Sequence, residues 1–243
     1  MLYNYRGFCK NDNSLVSYEV LYKETSLFVK TDKNFSTKVL KFIIEARKPI
    51  EKYILKNPEF CTSLTPIKPK SSMPTIVRKM CETTSEVGVG PMASVAGAVA
   101  EYVGTKMLKY SKNVIIENGG DIFAHTIEPL KVGIYAGENS VFSNKIAVVV
   151  KLPNQNLGVC TSSGKVGHSL SFGKADVSMI VSSSAIFSDA LATATANMVK
   201  IEKDVPLAVE FAKKFDKTLA VCVIKNKTIS FWAKDGCCEV GRL

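Results

Sequence analysis

Helical periodicity and strand-length apolar runs segregate along this chain instead of alternating, and that limits the fold classes open to it. Residues 35–56 carry Val39, Leu40, Ile43, Ile44, Ile50, Tyr53 and Ile54 at helical spacing, with Pro49 predicting a kink or break between two helices. Three prolines within 57–72 read as a connector. Pro74 then opens a helix to about Ser85, and a second helix follows Gly90–Pro91 to about Tyr110. From Val114 onward the pattern changes. Short runs at 114–116, 121–126, 131–136, 145–151, 157–162 and 176–182 have strand length. An alternating hairpin over 15–31 precedes the helices. Helices at 187–200 and 205–215 and a hairpin of 218–224 with 228–233, turning at Asn226–Lys227, close the chain. Helices first and strands in the middle predict an α+β fold, with mixed or antiparallel sheets packed against helices, in a single domain over 1–243.

The bulk numbers exclude more than they assign. Over 243 residues, 46% hydrophobic and 22% charged content suffices for a core without disulfides. The net charge of +10, from 32 Lys+Arg against 22 Asp+Glu, is spread along the chain and forms no basic stripe interleaved with aromatics. Nucleic acid is therefore not the expected partner, while an anionic small molecule would be favoured by steering. No apolar run of the roughly 18 residues of a membrane span exists, since the nearest candidate, Val87 to Val103, is Gly/Ala-rich and carries Glu101, and the first residues lack the apolar core of a signal peptide. Seven scattered cysteines with no CxxC pair fit a reducing cytoplasm better than a disulfide scaffold.

Chemistry-bearing residues concentrate in four places. Gly88-Val89-Gly90-Pro91 leads into a helix of small residues whose free N–H groups suit an anion, or whose glycines simply permit close packing. Asn118-Gly119-Gly120-Asp121 is either a hairpin turn or a means of presenting Asp121 and backbone groups to a ligand. Thr161-Ser162-Ser163-Gly164 offers hydroxyl and N–H groups of the kind that hold phosphate, and His168 just beyond it could serve as general base. No P-loop spacing and no nucleophile elbow accompany them. Asp189, Thr193 and Asn197 are spaced four apart, on one face of a helix. A carboxylate with a hydroxyl is a hard oxygen set suited to Mg2+; the alternative is helix capping and an internal hydroxyl bond.

In this order the segments VGVGPMASVAGAVAEYVG, VIIENGGDIF, VCTSSGKVGHSLSFGKAD and SDALATATAN resemble the ApbE-like superfamily, in particular its short cytoplasmic, uncharacterised branch. The resemblance runs over nearly the whole chain. It implies FAD or FMN as cofactor, Mg2+, and transfer of FMN from FAD to a threonine of an acceptor protein. It implies Asp189 and Thr193 as metal ligands and His168 as the catalytic residue. Gly90, Gly97, Glu101, Gly119, Gly120, Asp121, Thr161, Ser162, Ser163 and Gly164 would bind the cofactor. A homodimer is left open. The family's segment AxAKGYAxD has its glycine and acid at Gly97 and Glu101 here, with Ala96 and Ala98 in place of its Lys and Tyr. LSFGKAD stands where the family has Asp-Pro-x-Thr-Gly. The alternative reading is a non-catalytic binding or carrier protein in sulfur or cofactor metabolism, with Cys160 beside the TSSG turn as its residue of interest.

Overall fold

Residues 9–10, 15–138, 140–164 and 173–243 are described by a computed structural model. A short strand β1 (Cys9–Lys10) precedes the alternating segment, which forms the hairpin β2 (Val16–Tyr22) and β3 (Thr25–Thr31). Residues 36–56 then form one helix, α1 (Ser36–Lys56), with Pro49 inside it. This corrects the expected break. Proline removes the N–H that would reach the Glu45 carbonyl, but Val39, Phe42, Ile43, Ala46 and Ile50 are buried on both sides of it. Continuous burial of that face holds both halves in one helix.

The proline-rich connector holds one short helix, α2 (Glu59–Thr62), and α3 (Thr75–Val87) follows Pro74. A tight turn over Pro91–Ser94 leads into α4 (Val95–Met107). The strand-rich middle comprises β4 (Val114–Asn118), β5 (Asp121–His125), β6 (Leu130–Gly133), β7 (Ile146–Val150), β8 (Leu157–Ser162) and β9 (Val177–Ser182). Next come α5 (Ala185–Met198), α6 (Val205–Lys213), β10 (Thr218–Lys225), β11 (Thr228–Ala233) and β12 (Cys238–Arg242). The sequence reading had no counterpart for β12, which pairs antiparallel with β7 from Cys238↔Val150 to Arg242↔Ile146.

An eight-stranded sheet in the order β11-β10-β9-β8-β5-β4-β3-β2 forms the middle layer, and β1-β6-β7-β12 form a second sheet. Strand alternation assigns each face of the large sheet to one neighbour. Val114, Ile116 and Phe123 point to a core shared with α1, α3 and α4. Ile115, Ile122 and Ala124 point to the small sheet and meet Leu130, Val148 and Val150. The result is an α+β fold of three layers, with helices on one face of the large sheet and the small sheet on the other. No helix among the described residues is long and apolar enough to cross a membrane.

Helix α5 is the most enclosed helix in the helical layer. Every residue from Ala185 to Ala196 is buried. Its composition explains how: Ala, Ser and Thr give a slim helix that fits between β8 and β9 below and α3, α4 and α6 around it. A helix enclosed on all sides normally carries only apolar residues, so the buried Asp189, Thr193 and Ser188 stand out.

Candidate functional site

The β4–β5 hairpin sets one wall. Asn118 pairs with Asp121, and the two residues between them, Gly119 and Gly120, have φ of 66° and 101°. A two-residue turn with both central φ angles positive matches the right-handed twist of its strands, and glycine adopts it without steric cost. The turn is tied down on three sides. Gly120 N–H donates to Glu117 Oε1 at 2.7 Å, Thr161 Oγ1 donates to the Gly120 carbonyl at 3.1 Å, and Asn118 Nδ2 donates to the Ala96 carbonyl at 3.1 Å.

Register places the next groups. Asp121 lies opposite Cys160 across the β5–β8 pairing, so both side chains face the helical layer. The Cys160 thiol donates to the Ala185 carbonyl at 3.4 Å, at the start of α5. Helix α4 meets α5 at Gly97, where a Cβ would lie 2.3 Å from the Ala185 carbonyl oxygen and 2.8 Å from Asp189 Cβ. With no side chain there, Gly97 N–H donates to Asp189 Oδ2 at 2.8 Å. Thr193, also buried, lies one helical turn beyond Asp189.

The carboxylates carry the site's electrostatics. Burial pushes the Asp189 carboxyl up to about 7, against the backbone N–H groups of Gly97 and Ala96, which favour the charged form. Burial, and then the charge of Asp189, raises Asp121 well above the ordinary carboxylate range; the Cys160 thiol and the Thr161 N–H only partly oppose this. Asp121 Oδ1 is buried without a hydrogen-bond partner. Two carboxyl groups are thus gathered where solvent could not screen their charge and where the protein supplies few donors, so their ionised forms are disfavoured.

The other expected site residues fall in different settings. Gly90 is buried, and a Cβ there would sit 1.9 Å from the Ser63 carbonyl oxygen, so its packing on the 63–64 segment already requires glycine. Ser162 is buried in the β8–β9 pairing opposite Ser178. Ser163 is half-buried and Gly164 exposed, with Gly164 N–H donating to the Ala175 carbonyl at 3.0 Å. Asn197 lies half-buried in the last turn of α5. Glu101 turns toward the N-terminus of α5, where its Oε2 accepts from Ser184 Oγ at 2.7 Å. His168 lies outside the described residues. The other histidine, His125, ends β5 far from Asp121 and contacts Asn156 Oδ1 at 2.9 Å.

Sequence reasoning passed over Glu117 and Ser184. Glu117 sits in a strand whose apolar run hides it. Ser184 caps α5, and a serine just before a small-residue helix was the available signal. Among the described residues no three His, Cys, Asp or Glu side chains converge on a metal position. A metal at Asp189 would therefore draw on hydroxyl and carbonyl oxygens as well. Burial, and then the charges of Asp121 and Asp189, push the Cys160 thiol well up, which keeps it neutral and a poor nucleophile. Cys237 and Cys238 have sulfurs 3.7 Å apart, and burial raises Cys238 strongly.

This arrangement of layers is shared with solved ApbE proteins. The ApbE protein from Thermotoga maritima matches with a TM-score of 0.60 at 11% identity, covering 91% of this chain and 97% of that one. The apo form of the Pseudomonas stutzeri flavinyl transferase ApbE matches with a TM-score of 0.55 at 12% identity, covering 93% and 95%. At such identities the likeness shows the fold alone: this chain has an ApbE-like fold. The sequence places it more narrowly. The family model described as AbpE bacteria matches residues 7–219, and the chain belongs to that family. The UPF0280 protein of Archaeoglobus fulgidus is 40% identical over 219 residues, 88% of this chain and 90% of that relative.

Proposed function

We propose that this protein binds a flavin-type phosphorylated ligand together with Mg2+, with the Asp189 carboxylate and the Thr193 hydroxyl as the metal's side-chain ligands. The observation that carries the reading is the pair of buried carboxylates, Asp121 and Asp189, both raised by burial and one with an oxygen lacking any partner. The donor set fits a hard divalent cation, which takes oxygen ligands and compensates buried negative charge. Bound there, Mg2+ would neutralise the charge of a diphosphate.

The chain's own groups then have distinct tasks. Gly97 N–H orients Asp189. The Gly119–Gly120 turn and the Thr161–Gly164 segment would border the phosphates, with the Gly120 N–H, the Thr161 hydroxyl and the Gly164 N–H already engaged in holding these two segments in place. The reaction class we assign is phosphoester transfer, in line with the flavinyl transferase named among the structural neighbours. A phosphoanhydride P–O bond of FAD breaks and an acceptor hydroxyl oxygen bonds to the FMN phosphorus. AMP leaves, and the hydroxyl proton passes to His168, which sequence alone assigns as base.

Isothermal titration with FAD, FMN and Mg2+ tests the proposal. Binding of FAD that strengthens with Mg2+, and is lost in Asp189→Ala, is expected. No flavin binding by the wild type, or unchanged Mg2+-dependent binding in Asp189→Ala, would remove it.

A further inference from the structure

Helix α4 holds α5 at two points one helical turn apart. At Gly97 the backbone N–H donates to Asp189 Oδ2 at 2.8 Å. Four residues along, Glu101 Oε2 accepts from Ser184 Oγ at 2.7 Å and from the Ile186 N–H at 3.3 Å. Ser184 in turn accepts from the Phe187 N–H at 3.4 Å, so the Ser184 hydroxyl donates to Glu101 and caps α5 at once. A carboxylate at this end of a helix satisfies free N–H groups and complements the dipole.

The surroundings explain why such an anchor is needed. Apart from Ile186, helix α5 presents small residues where it meets α4 and β8, and small residues interlock poorly. Close approach is enforced on both sides: a Cβ at Gly97 would strike the Ala185 carbonyl at 2.3 Å, and one at Gly158 would lie 2.5 Å from the Ala185 backbone. Smooth surfaces in close contact leave sliding and rotation of α5 weakly specified by packing alone. Directional polar contacts supply the missing constraint: Ser188 Oγ donates to the Gly158 carbonyl at 3.0 Å on the β8 side, and Glu101 holds the α4 side.

We propose that Glu101 is the positioning residue of the Asp189 site. It fixes the register and rotation of α5 on α4, and so sets where the Asp189 carboxylate stands relative to Gly97 and Asp121. The inference rests on the reading of Asp189 and Thr193 as metal ligands. It assigns Glu101 to neither the flavin nor the metal.

The test uses Mn2+ as probe and the Gly97 amide as reporter. In Glu101→Ala the Mn2+ dissociation constant, from electron paramagnetic resonance, is expected to rise about 10- to 100-fold, the range for partners that orient a ligand. Glu101→Gln keeps an acceptor for Ser184 and should change it only a few-fold. Hydrogen exchange at the Gly97 amide, in metal-free protein, should speed up in Glu101→Ala and stay near wild type in Glu101→Gln. A purely stabilising role would lower Tm in Glu101→Ala yet leave the Mn2+ affinity and the Gly97 protection of the folded protein unchanged, and that outcome overturns the inference. Should the wild type bind no Mn2+, the functional reading falls, while the Gly97 amide still decides whether Glu101 positions Asp189. If Glu101→Ala does not fold, Ser184→Ala takes its place, with faster Gly97 exchange expected and unchanged exchange counting against the proposal.

Discussion

The two ends of strand β4 hold aspartates in opposite circumstances. At its start, Asp32 is half-buried and receives Ser111 Oγ at 2.9 Å, the Lys112 N–H at 2.7 Å and Asn113 Nδ2 at 3.1 Å. Desolvation there acts to raise its pKa, but these donors together outweigh it and the carboxyl is held below its ordinary value. At the other end, Asp121 has an unpartnered buried oxygen and lies beside Asp189. Both aspartates are raised there, because burial is deeper and donors are fewer. The difference separates a carboxylate that completes the fold from a pair whose ionised forms would need something else to balance them.

Paired substitutions should break this symmetry most visibly. In metal-free protein above pH 7, Asp189→Asn removes a buried charge while keeping an acceptor for Gly97. The shift to about 7 implies a gain in stability of up to about 4 kcal/mol. Asp32→Ala abandons three donors and should cost about 2–3 kcal/mol. Urea unfolding measures both, and a loss of stability in Asp189→Asn would contradict the account of the buried pair.

The pH dependence sharpens the same contrast. Asp189 has a folded value near 7 against an ordinary 3.8, so between these values the folded state holds a proton that the unfolded state has released. Its contribution to stability therefore falls as pH rises from about 4 to 7 in metal-free protein. Asp32, with its folded value lowered, acts in the opposite sense: its contribution is present above 3.8 and is lost as pH falls through the lowered folded value. Thermal unfolding across pH, with and without Mg2+, should show the first slope flattened by the metal. A slope of the same size in Asp189→Asn would assign it elsewhere.

The smallest effect expected is that of Gly97→Ala. Alanine ordinarily stabilises a helix interior by about 0.5–1 kcal/mol over glycine. Here the added methyl meets the Ala185 carbonyl and Asp189 Cβ, so the sign should reverse, with a net loss of about 1–3 kcal/mol. A more stable Gly97→Ala protein would mean that α4 and α5 are free to separate, and that Asp189 is less tightly placed than its contacts suggest.

Much of the secondary structure was legible because it is written in short range. Strand β8 occupies the expected 157–162, bounded by turn residues on both sides. Pro49 misled because its local cost is fixed by covalent chemistry, whereas the burial that outweighs it comes from residues far away in sequence. Strand β12 was hidden because its segment CEVGR has little strand character, and its pairing with β7 supplies the order. Among the site residues, the four-residue spacing of Asp189 and Thr193 could be read directly. The direction of Glu101 could not, since a residue type in a matching position says nothing about which neighbour its side chain meets.

By itself the sequence determined the layer classes, the turn chemistry at Gly119–Gly120, and a carboxylate and hydroxyl one turn apart on a small-residue helix. These follow from backbone sterics and from 2.0- and 3.6-residue periodicities, which act over a few residues. Only the tertiary structure decided that α5 is enclosed, that Asp121 faces Cys160 on the helical side, and that Glu101 grips the start of α5. Those facts depend on strand register and on helix contact between segments far apart in sequence, 92 residues in the case of Gly97 and Asp189. The raised carboxyls belong to the same level, because a pKa responds to how much water and how many donors surround a group, and both are fixed only when distant segments pack.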